Sequence, residues 1–338
     1  RNPFRTLLLV GSLVAATLVP AQVVINEVNV SNFDSYADNF GEFEDWIELY
    51  NTTGAPVDIS GWYLSDDPGD PTKWTIPAGT IVAAGARQLI FASGRDVSGG
   101  GFIHTSFKLN QTSADWVVLT NSGGSTIDDF QLADRTQLNH SRGRTTDGAA
   151  TWSLFTTPTP GAANTGASPE YVAKPALSQP AGYYSGSVSV AMSGPVGADI
   201  RYTLDGAAPT AGSTLYTGPI NISSTTVVRA ACFSTTPGVP ASFIETNTYL
   251  INATHTVAVL SIAGEEVDDL LAGGWLEPFG SIEYFGPDHV LRDEAVGTFN
   301  EHGNDSWAYP QRGFDYVTRD QAGYNDALHY PIFRTQTR

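Results

Sequence analysis

Short runs of β-branched and aromatic residues, separated by turn clusters, fill most of this 338-residue chain. Typical runs cover 23–30, 45–51 and 115–120, and the breaks between them are rich in Gly, Pro and Asp, as at 66–71. Many short strands with such breaks are typical of antiparallel sandwiches. No stretch before residue 254 has a sustained helical period. The sequence therefore predicts a mainly β protein.

Charge and cysteine content exclude several classes of function. The chain carries 17 basic and 35 acidic residues, which gives a formal net charge of −18. Nucleic-acid binding needs clustered Lys and Arg, so we expect no nucleic acid as partner. The single cysteine, Cys232, excludes an intrachain disulfide framework and a thiolate zinc site. Its apolar surroundings, with no histidine nearby in sequence, predict a buried and unreactive thiol.

The N-terminus has the three parts of a secretory signal. Arg1 and Arg5 precede an apolar run at 7–19, and small residues follow up to Ala21. The run is shorter than the roughly 20 residues that a membrane-spanning helix needs. We therefore expect residues 1–21 to be a removed signal peptide. The mature chain is then secreted or held at the cell surface, without a transmembrane segment.

Breaks in composition divide the remaining chain into three predicted domains. Pro, Gly and Ala concentrate at 157–166, and a weaker break lies near 252–254. Such stretches do not pack a core and are typical of linkers. We predict domains at 22–164, 165–253 and 254–338. The expected fold is two tandem immunoglobulin- or fibronectin-like antiparallel sandwiches followed by a partial α+β domain.

The first predicted domain contains an ordered series of short motifs. Ile25-Asn26-Glu27 is followed by Asp45-Trp46-Ile47-Glu48-Leu49-Tyr50-Asn51, and Pro158-Thr159-Pro160-Gly161-Ala162-Ala163-Asn164 closes the series. In this order the motifs resemble the lamin tail domain, an immunoglobulin-like sandwich, over about 22–164. The resemblance implies a binding or spacer module without catalytic residues.

Two features of this domain allow more than one interpretation. Asp66, Asp67 and Asp70 are candidate ligands for a hard cation such as calcium, although the identity of any metal is unknown. They lack EF-hand spacing, and Asp-Pro-Gly is also ordinary turn chemistry. Five tryptophans either form a sugar-stacking platform or face the core of the sandwich. They are Trp46, Trp62, Trp74, Trp116 and Trp152.

The second predicted domain resembles the fibronectin-like domain at the C-terminus of chitobiase and hexosaminidases. The motifs that carry the resemblance are Ile200-Arg201-Tyr202-Thr203-Leu204-Asp205-Gly206, then Leu215-Tyr216-Thr217-Gly218-Pro219-Ile220, then Val227-Val228-Arg229-Ala230. Asp205-Gly206, directly after a strand run, predicts a hairpin. The resemblance implies an accessory sandwich that is not catalytic, and no cofactor is expected for either sandwich.

The third predicted domain begins with a strand run at 255–262 and a candidate helix at 265–271. His302-Gly303-Asn304-Asp305-Ser306-Trp307 and Pro310-Gln311-Arg312-Gly313-Phe314 follow. Together these elements resemble the N-terminal part of a CotH-type kinase domain over about 255–333. The resemblance implies ATP and a divalent metal as cofactors if the domain is complete and active. The family's catalytic acids belong to its later half, so we expect no catalytic residue within this chain.

Departures from the kinase motifs restrict the candidate site. Phosphoryl transfer needs cations against the phosphates. His302 stands where the family has Arg, and Gln311-Arg312 stands where it has a Lys pair. We predict Asn304, Ser306 and Arg312 as nucleotide contacts if a nucleotide binds. The alternative is a plain turn at 303–305 and a solvated Arg312. A Ser-His-Asp triad also stays open, although no Gly-x-Ser-x-Gly elbow is present.

We therefore expect the N-terminal part of an exported bacterial surface protein, with two binding or spacer sandwiches in front of a CotH-like domain. Its partner would be an unknown surface protein or a glycan. One alternative is a secreted, atypical ATP-dependent Ser/Thr protein kinase in the full-length protein. The other is a carbohydrate-binding accessory protein. Whether the chain is an enzyme stays open from sequence.

Overall fold

The computed structural model describes residues 22–303 and 312–332, and it confirms a mainly β protein. The predicted signal peptide, residues 1–21, lies outside the described residues. In the described chain, no helix has both the length and the apolar character needed to cross a bilayer. Three separate apolar cores form, one within each of the three predicted domains.

The first sandwich packs two main sheets face to face. Its strands are β1 (Val23–Asn29), β2 (Trp46–Asn51), β3 (Val57–Asp58), β4 (Tyr63–Ser65), β5 (Trp74–Thr75), β6 (Ile81–Val82), β7 (Arg87–Phe91), β8 (Ser98–Gly99), β9 (Phe102–Ile103), β10 (Trp116–Thr120), β11 (Thr126–Gln131), β12 (Ser141–Arg144) and β13 (Trp152–Phe155). The sheet orders are β13-β12-β1-β2-β7 and β11-β10-β4-β5, with small pairs β3-β6 and β8-β9. Alternate apolar residues of both main sheets, such as Ile25, Leu49 and Leu119, meet in one buried core.

The second sandwich surrounds a core that includes Val228, Cys232 and Tyr249. Its strands are β14 (Ala176–Leu177), β15 (Gly182–Tyr184), β16 (Val188–Val190), β17 (Met192–Ser193), β18 (Ala198–Thr203), β19 (Thr214–Leu215), β20 (Ile220–Ile222), β21 (Thr226–Ser234) and β22 (Glu245–Ile251). The main sheet has the order β15-β22-β21-β18-β19, and β15 pairs with β22 in parallel. The predicted burial of Cys232 is confirmed.

The hairpin predicted at Asp205-Gly206 forms between β18 and β19, with a longer connection than a two-residue turn. Strand β18 ends at Thr203, and its partner β19 begins only at Thr214, so the connection covers 204–213. Gly206 does adopt the left-handed conformation expected of a turn, with φ of 85°. The bend at Gly206 therefore lies within the connection, and the two strands pair again from Thr214.

The third part of the structure is one antiparallel sheet with a short helix. Its elements are β23 (Val259–Gly264), α1 (Val267–Ala272), β24 (Phe279–Phe285), β25 (Leu291–Glu301), β26 (Phe314–Thr318) and a 3₁₀ turn (Asp320–Ala322). The strand order is β23-β24-β25-β26. Val267 and Leu270 of α1 pack against Phe299 of β25. The expected α+β pattern is therefore present in this region.

Candidate functional site

Of the three predicted nucleotide contacts, the structure places one. Asn304 and Ser306 lie outside the described residues. The Arg312 guanidinium lies beside Gly273, where a methyl group would overlap it, at the C-terminal end of α1. His302 Nδ1 lies 2.8 Å from Asp315 Oδ1 on β26. Arg312 thus lies against the helix, and the nucleotide assignment stays a prediction.

The carboxylates and amides of the acidic loop at 66–70 bond mainly to nearby residues of the same loop and to Lys73. An Asp66 carboxylate oxygen lies 2.7 Å from Lys73 Nζ, and Asp67 Oδ1 accepts a 2.7 Å bond from the Gly69 amide. The Asp70 amide donates to the Asp67 carbonyl at 3.1 Å. Among the described residues, no group of three or more His, Cys, Asp or Glu side chains has a metal-binding arrangement. The turn chemistry is present, and the metal at Asp66, Asp67 and Asp70 stays a prediction.

Motif residues that are far apart in sequence meet on the outer face of β1 and β2. Asn26 Nδ2 donates to Glu48 Oε1 at 2.9 Å and to Asn164 Oδ1 at 3.0 Å, although Asn164 is 138 positions away. The Gly161 amide donates to Glu48 Oε2 at 2.7 Å, and Thr159 Oγ1 donates to Glu27 Oε2 at 2.6 Å. We call this cluster, with the closing segment 158–164, the clasp.

Burial controls the electrostatics of the clasp. The side chains of Glu27 and Glu48 are both fully buried. Burial raises the pKa of Glu48 from its usual 4.5 to about 7, against the opposing effect of its hydrogen bonds. Burial also raises the pKa of Glu27. Arg87 Nε lies 3.7 Å from Glu48 Oε1, and Arg87 Nη2 forms a closer ion pair with Asp147 Oδ2. The clasp attaches the end of the sandwich to its first sheet.

A Ser–His pair that the sequence did not reveal lies elsewhere in the first sandwich. Ser93 Oγ is 3.0 Å from His104 Nδ1, and His104 Nε2 is 2.7 Å from Asn39 Oδ1. A nucleophilic serine needs an exposed hydroxyl next to a base. Ser93 is only 4% exposed and His104 only 1%. These buried hydrogen bonds therefore stabilise the loop structure and do not provide an accessible nucleophile.

The loop after β26 contacts both sandwiches. Gln111 Nε2 of the first sandwich donates to the Asp320 carbonyl at 2.8 Å, and Arg135 Nη1 donates to the Gly323 carbonyl at 3.2 Å. The Ile244 amide of the second sandwich donates to the Tyr324 hydroxyl at 2.7 Å. We call loop 319–324, with these partners, the junction.

Glycine is required at position 323 of the junction for two reasons. Its φ is 76°, which lies in the left-handed region. A Cβ atom there would come within 2.6 Å of the Thr136 carbonyl oxygen and 2.8 Å of the Phe243 ring. The loop therefore fits closely between the two sandwiches.

Two cavities flank Tyr324. The first, of about 600 Å³, is lined by Glu245, Glu283 and Glu294 together with Lys174. Burial raises the pKa of Glu283 from 4.5 to about 7, and Glu283 Oε1 accepts a 3.3 Å bond from the Thr248 amide. The second cavity, of about 670 Å³, is lined by Arg229 and several aromatic residues.

The folds define a protein built from tandem β sandwiches. Residues 17–134 match the family model described as Lamin Tail Domain, and residues 179–243 match Chitobiase/beta-hexosaminidase C-terminal domain. Both resemblances are thus confirmed, and they suggest non-catalytic binding modules. A search of curated proteins found no match. The segment 254–338 lies outside both matched ranges. The clasp residues 158–164 also lie beyond the first match, although they bind its first two strands.

Proposed function

We propose that this chain is a non-catalytic binding and spacer region of an exported bacterial surface protein. In this proposal, the two sandwiches hold the third segment, a CotH-like domain, in a fixed position. The observation that supports it is the junction, because one loop of the third segment bonds to both sandwiches. Domains joined only by linkers move independently unless an interface holds them. Gln111 is 1% exposed, so its bonds at the junction are protected from water.

A distance measurement between spin labels tests the spacer role. We would attach labels at the exposed positions Ser125→Cys and Asp268→Cys, on the first sandwich and on α1. Cys232 is buried and contributes little background. We expect one narrow distance distribution, which broadens when Gln111→Ala and Arg135→Ala remove the junction bonds.

Arg201→Ala is the matched control for this experiment, since Arg201 bonds within the second sandwich to Ser213 and Asp199. It should leave the distribution narrow. A wild-type distribution as broad as that of the junction variant would contradict the proposal. Export is tested separately by fusing residues 1–21 to a reporter enzyme that lacks its own signal. Retention of the reporter in the cytoplasm would contradict that part.

A second candidate is an ATP-dependent Ser/Thr kinase in the full-length protein. Supporting it are the antiparallel sheet with a helix packed on it, and the position of Arg312 beside the end of α1. We expect ATP binding that needs a divalent metal and is lost in Arg312→Ala but kept in Arg292→Ala. Unchanged affinity in Arg312→Ala would remove this site assignment.

A third candidate is a carbohydrate-binding accessory role. It is supported by the aromatic walls of the second cavity, which include Phe233, Phe243 and Phe279. Aromatic faces offer large apolar contact to ring-shaped ligands. A glycan array without any hit would end this candidate.

A further inference from the structure

The second cavity contains a buried cation without a counter-ion. Arg229 of β21 lines the cavity and is 5% exposed. Its Nη1 donates to the Gly206 carbonyl at 2.9 Å, but its buried Nε meets no acceptor among the described residues. Among the described residues, no Asp or Glu carboxylate forms an ion pair with the Arg229 guanidinium. A buried guanidinium with one carbonyl acceptor and no charged partner is costly, and a carboxylate in the cavity that Arg229 lines would supply that partner.

Tyr324 provides a second donor at the same cavity. Its hydroxyl oxygen accepts the Ile244 amide at 2.7 Å, which leaves the hydroxyl hydrogen to be donated elsewhere. Burial raises the pKa of Tyr324 to about 12, so the hydroxyl stays protonated at neutral pH. Tyr324 is also close enough to Arg229 to affect the pKa of the guanidinium. A planar guanidinium beside a hydroxyl donor suits a carboxylate.

The remaining walls restrict what carries that carboxylate. Phe233, Phe243 and Phe279 supply apolar ring faces. Three exposed carboxylates, Glu265, Glu266 and Glu277, line the same cavity and can accept hydrogen bonds from hydroxyl groups. Their negative charge repels phosphates and other multiply charged anions more strongly than a single carboxylate. The cavity therefore favours a ligand with one carboxylate, several hydroxyls and a ring.

We propose that this cavity binds a hydroxylated ring bearing one carboxylate, and that its ligands are uronic acid residues of an acidic polysaccharide. Arg229 and Tyr324 hold the carboxylate, Glu265 and Glu266 accept from ring hydroxyls, and Phe243 covers one ring face. The inference rests on the carbohydrate-binding candidate, and its cavity shares Tyr324 with the junction.

Calorimetric titration of the whole chain with D-glucuronate and D-galacturonate tests the site. Binding is measured at 0.15 M salt, where long-range repulsion from the net charge of −18 is screened. We expect one site per chain. Glucuronamide, which lacks the negative charge, should bind about tenfold more weakly, as should cyclohexanecarboxylate, which lacks the hydroxyls. These comparisons need no mutation, so they remain decisive even where a variant does not fold.

Two variants assign the binding to Arg229 and Tyr324. Arg229→Gln should weaken glucuronate binding about tenfold, and Tyr324→Phe should weaken it less, because it removes a neutral donor. Arg201→Gln, on the neighbouring strand β18, is the control and should bind as wild type does. Equal affinity for glucuronate and glucuronamide, or no binding of either uronate, would overturn the site. Neutral-sugar hits on a glycan array would then still support the broader carbohydrate candidate.

Discussion

Replacing Glu48 by Gln tests the electrostatics of the clasp. Because burial raises its pKa from 4.5 to about 7, the folded protein holds this proton more tightly than the unfolded chain does. The stability that comes from the bound proton is fully present below pH 4.5 and is lost as the pH rises to 7. Since the Glu48 side chain is fully buried, solvent does not screen this effect.

The size of the effect follows from the two pKa values. At about 1.36 kcal/mol per unit, the difference between 4.5 and 7 corresponds to a loss of about 3.4 kcal/mol over the whole titration. About 2.5 kcal/mol of this loss falls between pH 5 and pH 8. Glu27, whose pKa is also raised by burial, contributes in the same direction and remains in the variant.

Tryptophan fluorescence during urea unfolding provides the assay, because five of the seven tryptophans lie in the first sandwich and none in the second. Unfolding free energies of wild type, Glu48→Gln and the exposed control Glu42→Gln are compared at pH 5 and pH 8. Wild type and the control should lose about 2.5 kcal/mol more than Glu48→Gln between these values. An equal pH dependence in all three proteins would refute the reasoning.

Three other substitutions or probes test separate parts of the structure. Asn164→Ala removes buried hydrogen bonds of the clasp, so the unfolding free energy should fall by about 2 kcal/mol. Proteases should also cut near 158–164 faster than in wild type, and an unchanged cleavage rate would contradict this. Gly297→Ala places a methyl group against the Val317 carbonyl, so hydrogen exchange in β26 should accelerate while β23 stays protected. Burial raises the pKa of Cys232, so a thiol reagent should label it only after unfolding, and rapid native labelling would contradict its burial.

Local features of the fold could be predicted from the sequence. The runs of β-branched and aromatic residues at 45–51 and 115–120 became β2 and β10, because such side chains pack well on the faces of a sheet. The candidate helix at 265–271 became α1, from Val267 to Ala272. Its start differs because Glu266 adopts a left-handed conformation, with φ of 62°, just before the first turn. Such backbone conformations carry little sequence signal outside glycine.

The sites could not be predicted in the same way, because their parts are distant in sequence. The closing motif with Asn164 was recognised, but nothing in the sequence places it on Asn26. Arg229 was part of a recognised strand motif, yet its lack of a counter-ion follows only from the packing of Tyr324 and the third sheet. Ser93 and His104 likewise meet because strand pairing brings their loops together.

The clasp has a mechanical consequence when the first sandwich is pulled at its two ends. Strand β1 is central in its sheet, and β13 runs in the same direction two strands away, because both pair antiparallel with β12. A pull on the two ends of the first sandwich therefore loads these ladders in shear, so that many hydrogen bonds resist together. Before that force reaches β13, it must tear segment 158–164 from Glu27 and Glu48. The hydrogen bonds of the clasp are therefore the first to resist when the domain is stretched.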